Sequence, residues 1–446
     1  MKTLATFLTV FALFVPASHA LGGTKPLIRS SEETASALCR AYRRPAEEMV
    51  QLCEDALDEF RHTSREIAVF LVNHGKALDE LGHPEEARAK YKSALELKPS
   101  HEPGWRNLGW SHWDDNSFPE AEAAFRKALD LKVSAEAMAG LGSVLRKVDA
   151  HSAEAKQLLE GAILISPDYN WTRVELGWFH YNRWENKEAM AYFKAALKRD
   201  QGYHQAAYGL ARTLNRLRDF DGANVAISRA IEADAENATY FAQRSSILRN
   251  ADRPKQALKD AMQAMSLDAD LADGYVAGAW ALTDLGRMPE ALDLMFSGAD
   301  QQFKTSYFHY NHADLLTRDE RWSDALVAID RALASADHDQ HDFNLRAWIL
   351  LVLERPAEAK LATNASLELA AENLTALFYR AFAEVNLGDV ALALETFRLA
   401  RMNGLNDADT DDFIALLIRK GHWAAAGMAR MTAIETAKTA KSEESN

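Results

Sequence analysis

The chain has 446 residues, 48% of them hydrophobic, with 51 Lys and Arg against 65 Asp and Glu and a formal charge of −14. That surplus of acid disfavours a general affinity for nucleic acid, whose phosphates need a basic face. No Gly-x-Ser-x-Gly elbow, phosphate loop or paired zinc-ligand motif occurs, so the sequence points to a non-catalytic protein and calls for no cofactor or metal.

Residues 1–20 hold Lys2, an apolar run from Leu4 to Val15, Pro16, and small residues at Ser18 and Ala20. This is the pattern of a cleaved secretory signal, and the run is too short to span a membrane. The mature chain is expected to be exported, periplasmic or secreted, with no integral membrane segment. Losing Lys2 takes its charge to 50 − 65 = −15. Residues 30–67 read as N-terminal capping helices, two arms broken at Pro45 with Cys39 on one and Cys53 on the other. An even cysteine count in an exported chain invites a disulfide, which would stabilise this hairpin by about 3 kcal/mol. Two buried thiols, or one reactive thiol, are the other readings of the pair.

From residue 68 the chain repeats. Stepping 34 residues from Ala87 meets Ala121, Ala155, Ala189, Ala223, Ala257, Ala291, Ala325, Ala359 and Ala393. A second ladder, seven residues later, is small throughout: Ala94, Ala128, Ala162, Ala196, Ala230, Ala264, Gly298, Ala332, Ser366 and Ala400. A third, twelve residues before the first, includes Gly75, Gly109, Gly177, Ala211, Ser245, Ala279, Ala313, Ala347 and Ala381. Small side chains in one register mark close approaches of helix axes, and a 34-residue unit accommodates two helices of about twelve to fourteen residues with short turns. A lone hairpin of that kind cannot bury its apolar face, so neighbours must stack.

The stretch Trp105-x2-Leu108-Gly109-x2-His112, followed by Ala121-x3-Phe125-x2-Ala128, with Pro99 and Pro167 at repeat ends, resembles the tetratricopeptide repeat family. The resemblance implies an all-α, right-handed solenoid of ten repeats over residues 68–407. Repeats are expected to start near 68, 102, 136, 170, 204, 238, 272, 306, 340 and 374. The third is irregular, because its Leu141-Gly142 pair sits one residue early. Arg244 and Ser245 replace the Leu-Gly pair in the sixth. Residues 408–437 read as C-terminal capping helices and 438–446 as a disordered tail. No period-2 apolar pattern marks a strand.

In the family, first-helix positions 2, 5, 9, 12 and 13 line a concave groove. Carried over, these give Arg106, Trp110 and Trp113 in the second repeat, Trp171, Trp178 and Tyr181 in the fourth, and Tyr208, Arg212, Asn215 and Arg216 in the fifth. Later repeats add Arg249, Trp280, Tyr310 and Trp348, with Asn344, Phe378 and Phe382 beside them. The expected groove is aromatic, and basic at its middle. Trp and Arg there offer large, planar contact surfaces to a bound chain, although the same aromatics also suit packing between neighbouring repeats. Arg212 and Arg216, four apart, are placed to hold a carboxylate.

His309, His312, His338 and His341 lie amid aspartates, but the first two fall on core positions and the others around a turn, so packing is expected rather than a metal site. Gly140-Leu141-Gly142 lacks the third glycine and preceding strand of a dinucleotide site and reads as helix packing. The expected function is a scaffold that holds a protein or peptide partner in its groove, in cell-envelope assembly or maturation. A glycan-binding envelope module and a purely structural subunit of an envelope or secretion complex are the alternatives.

Overall fold

The computed structural model describes residues 34–443 except 60, 150, 151, 301, 302 and 304. The expected signal at 1–20 lies outside the described residues. Among those described there are 24 α-helices and no strand. Contacts group the chain as two compact units, divided after Ile165, where the sequence suggested one run over 68–407. The division falls at the end of the third repeat, the one whose register is shifted.

The first unit holds α1 (Ala35–Ala41), α2 (Ala46–Asp58), α3 (Ser64–Glu80), α4 (Pro84–Leu97), α5 (Glu102–Asp114), α6 (Phe118–Leu131), α7 (Ala135–Val148) and α8 (Ala153–Ile165). The second begins with α9 (Asn170–Asn182), α10 (Asn186–Arg199), α11 (His204–Arg216), α12 (Phe220–Ala233), α13 (Ala238–Asn250), α14 (Pro254–Leu267), α15 (Ala272–Asp284) and α16 (Met288–Asp300). It continues through α17 (Ser306–Arg318), α18 (Trp322–Leu333), α19 (Gln340–Val352), α20 (Pro356–Leu369), α21 (Leu374–Leu387), α22 (Val390–Met402), α23 (Asp407–Arg419) and α24 (Trp423–Glu443). Consecutive helices pack as hairpins, and hairpins stack on their neighbours within each unit.

Local chemistry sets the helix ends. Thr63 and Glu66 form a reciprocal capping box that starts α3 at Ser64, four residues before the expected repeat start at 68. From α9 on, first helices begin at 170, 204, 238, 272, 306, 340 and 374, as the ladders require. Every described turn between the two helices of repeats one to ten passes through a left-handed residue at the same 34-residue interval. Gly82, Gly286 and Gly388 fill it without strain, and Asn116, Trp184, Arg218, Asp252, Glu320 and Glu354 adopt it at the cost of a non-glycine positive φ. At the far end α24 runs through Glu443, beyond the point where the polar tail was expected to begin. Ala, Lys and Glu dominate that segment and all favour helix.

The alanine ladder is the spine of both units: all ten members, from Ala87 to Ala393, are wholly buried. Phe125 and Phe193 show why the neighbouring ladder must be small. Each ring lies over glycines of two first helices, Gly109 and Gly140 for Phe125, Gly177 and Gly209 for Phe193. Gly140 thus serves packing, as its motif context suggested. Cys39 on α1 and Cys53 on α2 are wholly buried and face each other in disulfide geometry, with Cα atoms 4.9 Å apart.

Candidate functional site

Arg212 is the focus of the second unit. It projects from α11, and its guanidinium carbon stands 5.7 Å from the Trp178 ring, 5.3 Å from Tyr181 and 5.8 Å from Tyr208. Two adjacent first helices, α9 and α11, therefore build an aromatic box around one cation. Trp178 is held in place by edge-on contacts to Phe193 at 5.2 Å and Tyr181 at 5.4 Å. Arg212 has no carboxylate at ion-pair distance among the described residues. It borders a hollow of about 270 Å³ lined also by Tyr208, Thr239, Ala242, Gln243, Ser246, Asp273 and Tyr307. Burial pushes the Asp273 carboxyl above the usual carboxylate range, with the positive charge of Arg212 pulling the other way.

The neighbouring cations are committed elsewhere. Arg216 donates to the Tyr181 carbonyl at 2.5 Å and lays its guanidinium 3.4 Å from the Tyr181 ring and 4.1 Å from that of Trp184. The expected Arg212–Arg216 carboxylate clamp is corrected by this geometry: Arg216 ties α11 to α9, and Tyr181, buried beneath it, is a floor. Arg249 is chelated by Asp284 at 2.6 Å, and Asn215 accepts from Asn250 at 3.0 Å. Trp280 donates through Nε1 to Asn311 at 2.8 Å, with Arg318 at 4.8 Å and Arg249 at 5.4 Å from its ring. Trp171 stacks on Tyr169 at 6.1 Å. Asn344 is buried, with its amide donating to Asn373 and its carbonyl accepting from Ser366.

A second hollow, about 770 Å³, opens between α19, α21 and α23. Trp348, Leu351, Val352, Phe378, Tyr379, Phe382 and Leu416 give it an apolar lining, with Asn386, Asp412 and Arg419 among its polar groups. Phe378 and Phe382 pack at 4.7 Å, and Trp348 is braced edge-on by Trp322 at 5.3 Å. Tyr310 is half-buried on α17, where burial raises the pKa of its phenol.

The residues expected in the first unit are engaged with one another. Trp110 packs edge-on to Trp113 at 6.0 Å and Phe125 at 5.1 Å, Trp113 donates to Ser143 Oγ at 3.0 Å, and Arg106 sits between Glu102 and Glu136 at 3.7 and 3.6 Å. His309 and His312 are buried packing groups, whereas His338 and His341 are exposed around a turn. His309 Nε2 donates to the Phe303 carbonyl at 2.9 Å, and His338 bonds the Ser335 carbonyl at 2.8 Å. His312 is buried against Phe296 with both ring nitrogens unpartnered.

Sequence reasoning missed Thr239, Ser246 and Asp273 because it selected aromatic, cationic and asparagine residues, and Gln243 because its position 6 lies outside the groove positions. Thr239 and Ser246 occupy positions 2 and 9 of the sixth repeat, and Asp273 position 2 of the seventh, so the same positional rule applied to every residue type finds all three.

Family models described as tetratricopeptide repeat match residues 72–134, 107–170 and 185–246. DnaJ homolog subfamily C member 7 of mouse and of human is 28% identical over 177 residues, 36% of this chain and 35% of theirs, so the chain spans about a third of the length of these curated relatives. Among solved structures, yeast Tom70 is similar with a TM-score of 0.53 at 13% identity, covering 91% of this chain and 95% of that one. A human IFIT1 dimer with m7Gppp-AAAA is similar with a TM-score of 0.52 at 15% identity, covering 82% and 88%. At such identities these likenesses concern the fold.

Proposed function

Because this chain is a tetratricopeptide-repeat protein, we propose that it is a non-catalytic scaffold whose first-helix face in the second unit holds an acidic peptide segment of a protein partner. The observation that carries the reading is Arg212. A cation boxed by three aromatic rings, sharing a hollow with Asp273 but with no carboxylate at ion-pair distance among the described residues, can take an anionic group supplied by a guest. The apolar hollow at Trp348, Phe378 and Phe382 lies on later first helices of the same unit and suits a bulky apolar side chain of that segment. Nucleic acid is disfavoured by the charge of −14. Among the described residues no helix is long and apolar enough to cross a membrane.

We place the protein outside the cytoplasm, periplasmic or secreted, in the assembly or maturation of the cell envelope. The signal-like residues 1–20 and the Cys39–Cys53 pair support that setting. Site-specific photo-crosslinking tests the docking face. A crosslinker in place of Gln243, in the Arg212 hollow, should trap a partner in an envelope fraction, whereas one in place of exposed Lys255 on α14 should not. Adducts from the Lys255 position alone would move the site to the second-helix face.

A further inference from the structure

The Arg212 hollow holds a second charge, and that charge restricts the guest. Arg212 comes from α11, Thr239, Gln243 and Ser246 from α13, Asp273 from the first turn of α15 and Tyr307 from α17. Side chains from four successive first helices therefore meet around one space of about 270 Å³, as the curvature of stacked hairpins allows. Asp273 and Tyr307 are exposed, so a guest can reach them. Between the two charges α13 contributes only neutral groups to the lining. Arg212 attracts Asp273 across the hollow without closing an ion pair with it among the described residues. Arg249, the next arginine along this wall, is held by Asp284 at 2.6 Å.

A guest that fills this space strips water from both charges. Dehydrating an ion without giving it an opposite charge is costly, so a guest that answers Arg212 alone leaves Asp273 stranded. A guest whose charges are all acidic repels it as well. We propose that the docked segment is extended and carries a Lys or Arg two residues from its acidic residue, the carboxylate meeting Arg212 and the base meeting Asp273. In an extended chain, residues two apart point to the same side about 7 Å from each other, which lets neighbouring side chains of opposite charge enter together. The hollow is smaller than the roughly 300–1,000 Å³ of small-molecule sites and too small for a helix about 10 Å across. Thr239, Gln243 and Ser246 lie where they can bond the peptide groups between the two charges. This inference rests on the hollow being the docking site and adds the second half of what it selects.

Four nonapeptides of Ala and Ser, with Glu-x-Lys, Lys-x-Glu, Glu-x-Glu or Lys-x-Lys at the centre, test it. They are acetylated, amidated and labelled with a neutral dye, and are titrated into the full-length protein by fluorescence anisotropy. One of the two mixed peptides should bind about tenfold more tightly than Glu-x-Glu. Asp273→Asn should remove most of that preference, and Asp273→Lys should reverse it in favour of Glu-x-Glu, with helix content unchanged in both. A parent that prefers Glu-x-Glu or Lys-x-Lys overturns the inference, as does an unaltered preference in the Asp273→Lys protein, and either result leaves the docking reading in place. Lack of saturable binding by both mixed peptides also overturns it. An Arg212→Ala protein that binds every peptide as the parent does would sink the docking reading itself.

Discussion

Phe193 and Gly209 are in such close register that a Cβ on the glycine would stand 2.3 Å from the phenylalanine ring, and Gly177 closes on the same ring from the preceding first helix at 2.5 Å. One second-helix aromatic thus fixes the spacing of α9 and α11, which carry the box around Arg212. Replacing Gly177 by Leu, or Gly209 by Ala, forces ring or backbone to move and should destabilise by roughly 1–3 kcal/mol. Urea midpoints measure this, and adding Phe193→Leu to Gly209→Ala should recover part of the loss. A neutral Gly209→Ala would mean that the ring has room to retreat.

The close approach itself was legible before any coordinates, because Gly177 belongs to a ladder that the 34-residue period makes visible. Its counterpart Gly209 was not, since it lies 16 residues beyond Phe193 on the next repeat and carries a different position number. The groove was legible as a face but not as a set of available cations. Arg249 finds Asp284 35 residues on, and Arg216 finds the carbonyl of Tyr181 35 residues back. Such partners come from neighbouring repeats, so only stacking reveals which arginine is left for a guest. The capping box that moved the start of α3, by contrast, stood in the sequence as Thr63 and Glu66.

Acid should weaken the second unit through His312. Burial, with the nearby charges of His309, Arg331 and Arg321, pushes its pKa from 6.5 down to about 4. A depressed folded-state value means that the unfolded chain binds the proton first. Stability is therefore full above pH 6.5, declines as pH falls toward 4, and levels off below, a loss of about 3 kcal/mol for one group. Denaturant melts across that window should show a flatter profile for His312→Leu than for the parent. Parallel profiles would place the acid sensitivity elsewhere.

The cysteine pair gives a simple readout of compartment. Protein recovered from its native location should, without reductant, be two hydrogens lighter than the reduced chain, and Cys39→Ala with Cys53→Ala should cost the N-terminal hairpin about 3 kcal/mol. A full-mass species would remove both the staple and one support for export.

The most direct test of the groove is the affinity of the native partner, or of an acidic peptide derived from it, for the parent and for Arg212→Ala, with Arg216→Ala measured alongside. Loss of Arg212 should weaken binding at least tenfold while helix content stays as it was. Loss of Arg216 should instead lower stability, because it removes the tie between α11 and α9. Equal binding by the parent and the Arg212→Ala protein would contradict the claim that this boxed cation receives the partner.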